Sequence, residues 1–203
     1  MAKLNLPPTR SSFLKLSKEL SFADEGFELL EQKRQILLIE LMGLVASAKR
    51  TQDQVREKMA AAYEAVSHDL ANTGALKLNH EALSTSTEQC VELGERYLMG
   101  ITLPEVMPEH NKPGPSFGLG EGSVRSDEVV RKFFDALESI SRLAEIESSV
   151  VRLARELKKT QRRVNALEKI FIPDYSETIK YIEDSLAERE RDAVVIMRMI
   201  KKR

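Results

Sequence analysis

Two heptad repeats stand at opposite ends of this chain, and most of its glycines and prolines lie between them. The first repeat is counted by alternating steps of three and four through Phe13, Leu16, Leu20, Ala23, Phe27, Leu30, Arg34, Leu37, Leu41, Leu44 and Ala48, then with one slip through Val55, Met59, Ala62 and Val66. The second runs through Ala136, Ile140, Leu143, Glu147, Val150, Ala154, Leu157, Gln161, Val164, Glu168 and Phe171, and resumes after Pro173 as Ile179, Ile182, Leu186, Arg189, Ala193, Ile196 and Ile200. An apolar stripe that recurs every 3.5 residues keeps facing one partner, which is the pattern of a left-handed coiled coil. The spacing therefore predicts an all-α dominant fold: a long antiparallel two-helix coiled coil with a small irregular head that has room for a short β-hairpin.

The breakers divide the chain. Pro7 and Pro8 stop a helix from starting earlier, and Thr9 to Ser12 offer N-caps. This gives an N-terminal extension over 1–9, a long helix over 10–71, a head over 72–125 and a second long helix over 126–203. Residues 97–103 read as a strand or hairpin arm closed by Pro104, and residues 110–123 as a loop. Ser126 reads as the cap of the second helix, with Asp127 and Glu128 in its first turn. Pro173 is expected to kink or interrupt that helix. Gly26 and Gly43 lie inside the first, where either close approach of another backbone or local flexibility would explain them. Arg34, Glu147, Gln161 and Glu168 interrupt the seams; polar seam residues weaken packing but fix register, so these are register devices or points of partial exposure.

Composition narrows the function classes. Of 203 residues 31% are charged, Trp is absent and the net charge is −1, which suits an extended helical protein and argues against a general nucleic-acid binder. The single cysteine, Cys90, excludes an internal disulfide framework and fits a cytosolic compartment. Met1 to Thr9 lacks the apolar core of a secretory signal. The richest apolar run, Ile36 to Ala48, is interrupted by Glu40 and is short of the roughly 20 residues a membrane span needs. His68, His80 and His110 have no metal-ligand spacing with Cys90 or one another. Gly118, Gly120 and Gly122 match neither the dinucleotide fingerprint nor a P-loop. The basic cluster Arg155, Lys158, Lys159, Arg162 and Arg163 lacks the interleaved aromatics that stack on bases, and reads as a solvated face or a surface for an acidic protein. The sequence offers no catalytic, cofactor-binding or metal-binding constellation.

Several segments carry a resemblance. Arg162-Arg163-Val164-Asn165-Ala166-Leu167-Glu168, Ile172-Pro173, Thr178-Ile179-Lys180-Tyr181-Ile182 and Glu188-Arg189-Glu190-Arg191, together with Pro8-Thr9-Arg10, Leu29-Leu30-Glu31-Gln32-Lys33-Arg34, Met99-Gly100-Ile101 and Leu103-Pro104, resemble the D subunit of the V-type and A-type ATP synthases. Arg10 stands where a lysine is common in that family, which leaves the charge intact. The resemblance implies a central rotor stalk, present as one copy per complex. Its helix tips would enter a ring of three A and three B catalytic subunits, and its lower part would hold the F subunit and rest in a socket subunit of the C/d type above the membrane ring. It implies no nucleic acid, no cofactor and no membrane insertion for this chain, and a cytoplasmic location peripheral to the membrane. Contacts to the catalytic ring would fall on Pro8, Thr9 and Arg10 from one tip and on Arg189, Arg191, Arg198, Lys201 and Lys202 from the other.

The residues suit such a role on physical grounds. A long seam resists slippage because each exposed apolar side chain would cost roughly 1.5 to 3 kcal/mol. A hairpin is asymmetric in cross-section, so three equivalent sites around it meet three different faces and are biased differently. A rival reading is a coiled-coil adaptor or holdase chaperone. Its mark would be an exposed apolar patch at the helix tips, whereas here the chain ends in charge.

Overall fold

In the computed structural model, residues 6–84, 91–108 and 124–201 are described. The elements are helix α1 (Arg10–Thr73), helix α2 (Ala75–Ser84), strands β1 (Val91–Leu98) and β2 (Ile101–Pro108), helix α3 (Val124–Ala166), a five-residue π-helical turn (Leu167–Phe171) and helix α4 (Ile172–Lys201). The fold is thus two long helical stretches and one antiparallel hairpin, as the heptads and breakers predict. The chain divides into two compact units, residues 1–38 with 156–203 (unit 1) and residues 39–155 (unit 2).

In unit 1 the start of α1 runs antiparallel to the end of α3 and to α4, as the contacts of Arg34 with Gln161 and of Arg10 with Glu190 require. Leu16, Ala23 and Leu37 from α1 are buried, as are Val164 and Ile182 from the other stretch. Leu20, Phe27, Leu30, Ile179 and Leu186 are half-buried beside them. Pro173 does not break this stretch. The chain opens instead into the π-helical turn, where Ile172 donates its N–H to Leu167 O, and then continues as α4. Widening by one residue moves the carbonyls that proline would clash with, so the helix passes through.

Unit 2 is built on the remainder of α1, on α2, on the hairpin and on most of α3. Gly74, at φ +82°, ends α1, its N–H donating to Leu70 O at 3.0 Å, because this left-handed turn is open to glycine at no steric cost. Tyr63 and Phe133 meet edge to face at 5.9 Å. The hairpin turns at Met99 and Gly100, both at positive φ, which is the two-residue geometry that matches strand twist. The strand expected over residues 97–103 is therefore two strands with a turn in its middle. Pro104 pairs opposite Glu95 inside β2 and does not close it, since each strand of a two-stranded ribbon has a free edge where a missing N–H is tolerated. Leu103 is fully buried, Glu145 accepts from Val106 N at 3.3 Å, and Arg152 donates to Thr102 O at 2.9 Å, so α3 holds β2.

The seam of α3 differs from the count. Leu143, Val150 and Leu157 are half-buried as expected, but the alternate positions shift by one residue: Ser139, Leu153 and Thr160 are buried, whereas Glu147, Ala154 and Glu168 are exposed and Ile140 is partly so. The cause is chemical. Ser139 Oγ donates to Asp135 O of its own helix at 3.2 Å and accepts from Lys58 Nζ at 2.7 Å, so a small hydroxyl is satisfied inside. Thr178 of α4, also buried, donates to Asp174 O in the same way.

One of the two explanations for the glycines is excluded, and the Ser126 cap is corrected. A Cβ built on Gly26 or Gly43 meets nothing within 4 Å, so neither glycine is required by a close backbone approach. Ser126 is not a cap: α3 begins at Val124, and the Ser126 hydroxyl is buried between two carboxylates, 3.0 Å from Asp69 Oδ2 and 2.7 Å from Glu81 Oε2. Thr73 donates to the other Asp69 oxygen at 2.8 Å. This polar cluster ties α1, α2 and α3 together beside an apolar cleft of about 510 Å³ walled by Val66, Leu78, Phe133, Phe134, Leu137 and Ile140.

Candidate functional site

Four of the residues expected to meet a partner ring come together at one end of unit 1. Thr9 caps α1: its Oγ1 accepts from Ser12 N at 3.2 Å, and Phe13 N donates to Thr9 O at 3.0 Å as the first helical bond. Pro8, just outside the helix, offers its carbonyl to Arg189 Nη1 at 2.9 Å. Arg10 Nη2 meets Glu190 Oε1 at 2.6 Å, with both side chains largely exposed. Pro8, Thr9, Arg10 and Arg189 are thus brought together, and α4 passes the beginning of α1 at Glu190.

Beyond that point α4 continues from Arg191 to Lys201, about 16 Å at roughly 1.5 Å per residue, with no other described element alongside it. Every described residue from Ala187 onward is exposed. Arg191, Arg198 and Lys201 are among them, with Arg198 and Lys201 in the last turn, where they favour the negative end of the helix dipole. Lys202 lies outside the described residues, as do Cys90 and His110. Ile196 and Ile200 are 56% and 70% exposed, so the intramolecular seam that the heptads extended to them ends at Leu186.

The tip is apolar on all sides but one. Ala193, Val194, Val195, Ile196, Met197, Met199 and Ile200 are interrupted by Arg198, and at roughly 3.6 residues per turn they wrap the axis except on the Arg198 side.

The other residues singled out in the sequence do not form a chemical site. Lys158, Arg162 and Arg163 are exposed, while Lys159 pairs with Glu156 at 3.7 Å. His68 stands 3.8 Å from Glu64. Among the described residues no group of three or more His, Cys, Asp or Glu is placed to hold a metal ion, and no helix is long and apolar enough to cross a membrane. The electrostatically perturbed seam group is the Glu31–Arg34 pair in unit 1. The hydrogen bonds from Arg34 hold the Glu31 carboxyl below its ordinary range, and Glu31 in turn raises Arg34. At the hairpin, the hydrogen bond of Tyr97 to Glu95 raises the phenol.

Comparison with known proteins decides the family. The family model described as the ATP synthase D subunit matches residues 12–202. The chain belongs to the ATP synthase D-subunit family. Its relatives include the D subunit of the V-type ATP synthase of Thermotoga neapolitana, 32% identical over 98% of each chain. They also include the D subunits of the A-type ATP synthases of Thermococcus sibiricus, 33% identical over 98% of this chain and 94% of the relative, and of Methanopyrus kandleri, 34% identical over 96% and 84%. Membership makes this chain one component of a multi-subunit ATP synthase, and the resemblance carried by the C-terminal segments is borne out over nearly the whole length.

Proposed function

We propose that this chain is the rotor of the central stalk, one copy per complex, carrying torque between a ring of three A and three B subunits and the membrane ring. It does no nucleotide chemistry itself. In this reading the F subunit and a socket subunit of the C/d type hold its lower part, and it sits on the cytoplasmic side, peripheral to the membrane. The observation that supports the reading is the last part of α4, from Ala193 to Ile200, which is apolar on every side but that of Arg198 and is exposed throughout, with no described residue covering it. A flat partner would cover one stripe of such a helix; a ring covers all of it. Pro8, Thr9, Arg10 and Arg189 form the level at which the ring would meet both helices, with exposed ion pairs, each worth only about 0 to 1 kcal/mol, leaving the shaft able to turn. The ring would push on a cross-section that is different in each of three directions, and ATP binding, hydrolysis and release would follow its angle.

The same exposed tip is the mark of the rival reading, a holdase or adaptor, since it presents apolar surface to solvent. Stoichiometry separates the two. Native mass spectrometry with the A and B subunits, followed by ATP hydrolysis in the same samples, should give one copy per three A and three B with altered turnover. Several copies per ring, or capture of unrelated unfolded chains without ring binding, would establish the adaptor. In the assembled complex, Ile196→Asp with Ile200→Asp should abolish ATP-driven ion pumping while hydrolysis persists; coupled pumping at the normal rate would refute the rotor role of the tip.

A further inference from the structure

We infer that Arg34 and Gln161 form a register lock between α1 and α3 in unit 1, a directional contact that selects one axial alignment of two helices whose apolar stripes would accept others. Leucines and isoleucines repeated every seven residues do not by themselves distinguish an alignment from one displaced by a heptad, because each apolar side chain meets another. Something directional must make the distinction, and the seam of unit 1 holds one.

Each half of the contact is oriented by its own helix before it meets the other. On α1 the Arg34 guanidinium is gripped by both carboxylate oxygens of Glu31, one of them accepting from Nε at 2.8 Å, which leaves Nη1 pointing outward. On α3 the Gln161 amide is fixed by donating from Nε2 to Asn165 Oδ1 at 2.9 Å, which leaves its carbonyl oxygen as the acceptor. The two free ends meet, Arg34 Nη1 to Gln161 Oε1, at 3.0 Å. The Arg34 side chain is only 31% exposed, so a one-heptad slip that set it against Ala154 would leave its third donor without an acceptor, while the opposite slip would exchange the Gln161 amide for the exposed Glu168 carboxylate. Among the four polar seam residues this is the pair that hydrogen-bonds from helix to helix; Glu147 is exposed, and Glu168, also exposed, contributes a charge attraction to Arg34. The opposite shifts of Glu31 and Arg34 agree with a pair held in place. That the lock keeps the helices aligned under torque rests on the rotor reading; the lock itself does not.

The test uses the full chain, free in solution, with Cys90→Ser and spin labels on Gln32→Cys and Arg163→Cys, both exposed positions near the lock. Pulsed electron spin resonance should return one narrow distance. Adding Arg34→Met should add a second, longer distance, because the two labels are level with each other in the native alignment and would be offset along the axis by about 10 Å, one heptad at roughly 1.5 Å per residue. A single unchanged distance in Arg34→Met, at whatever melting temperature, overturns the proposal. If that variant does not fold, Arg34→Lys is read by the same criterion, because it keeps the charge and loses the fork. Ring binding is not part of the readout, so failure of the lock leaves the rotor reading intact and failure of ring assembly leaves the lock intact.

Discussion

Ile182 and Ile196 lie on the same helix, two heptads apart by the same count, yet Ile182 is fully buried and Ile196 is 56% exposed. The first faces α1; the second lies past Glu190, where α1 has already begun. Periodicity reports that a face will be covered, and only the position of the neighbouring helix reports by what. Covered by the same chain, an isoleucine contributes to folding; left uncovered, it is the surface that in the rotor reading the ring would cover.

The contrast can be broken in order of effect. Ile182→Asp should be the most damaging change, because it puts an unpaired charge where no water reaches; a loss of about 4 kcal/mol or more is expected in denaturant unfolding. A loss below about 1 kcal/mol would mean that the seam opens there. Leu103→Ala, which empties the site where β2 packs on α3, should cost about 2 to 5 kcal/mol of local stability and raise amide exchange in the hairpin first. Equal protection in both proteins would show that the Glu145 and Arg152 contacts suffice. Glu31 sharpens the comparison through pH. Its carboxyl titrates below the ordinary range when folded, so its contribution is complete above that range and disappears as pH falls through the lowered value. Glu31→Gln should accordingly be somewhat less stable than the parent at neutral pH, with the difference vanishing in acid; a gap independent of pH would assign the effect to packing. Smallest of all, Ile196→Asp with Ile200→Asp should leave unfolding of the free chain within about 0.5 kcal/mol of the parent. A larger shift would mean that the chain itself covers the tip.

Much of this was legible in the sequence and the omissions are instructive. Leu16, Leu37, Val164 and Ile182 could be placed inside because large aliphatic residues at heptad spacing have one sensible location. Ser139, Ser149 and Thr160 could not, although all three are buried, because a residue-type count scores hydroxyls as polar while a helix lets Ser139 satisfy its own through the previous turn. The result of that omission was half of the α3 seam, shifted by one residue. The Asp69–Ser126–Glu81 cluster was invisible for another reason: its members come from three helices and meet only in three dimensions. Ser126 looked like a cap because caps and buried hydroxyls use the same chemistry. At the candidate site, Pro8, Thr9, Arg10 and Arg189 were identified and the structure brings them together, whereas the exposure of the tip depends on where α1 starts relative to α4, which no local pattern encodes.

The uncovered end of α4 also bears on the fate of a copy that never finds its complex. Val194, Val195 and Ile196 are β-branched, which lowers intrinsic helix propensity, and past Glu190 no packing from the described residues supports the helix. The last turns therefore rest on their own backbone bonds and open readily in the free chain, exposing apolar residues and a cleavable backbone together. Surplus copies would be cleared by proteolysis or lost to aggregation from this end, so the segment that in the rotor reading fits the chain for its place in an assembly would also limit how long it persists outside one.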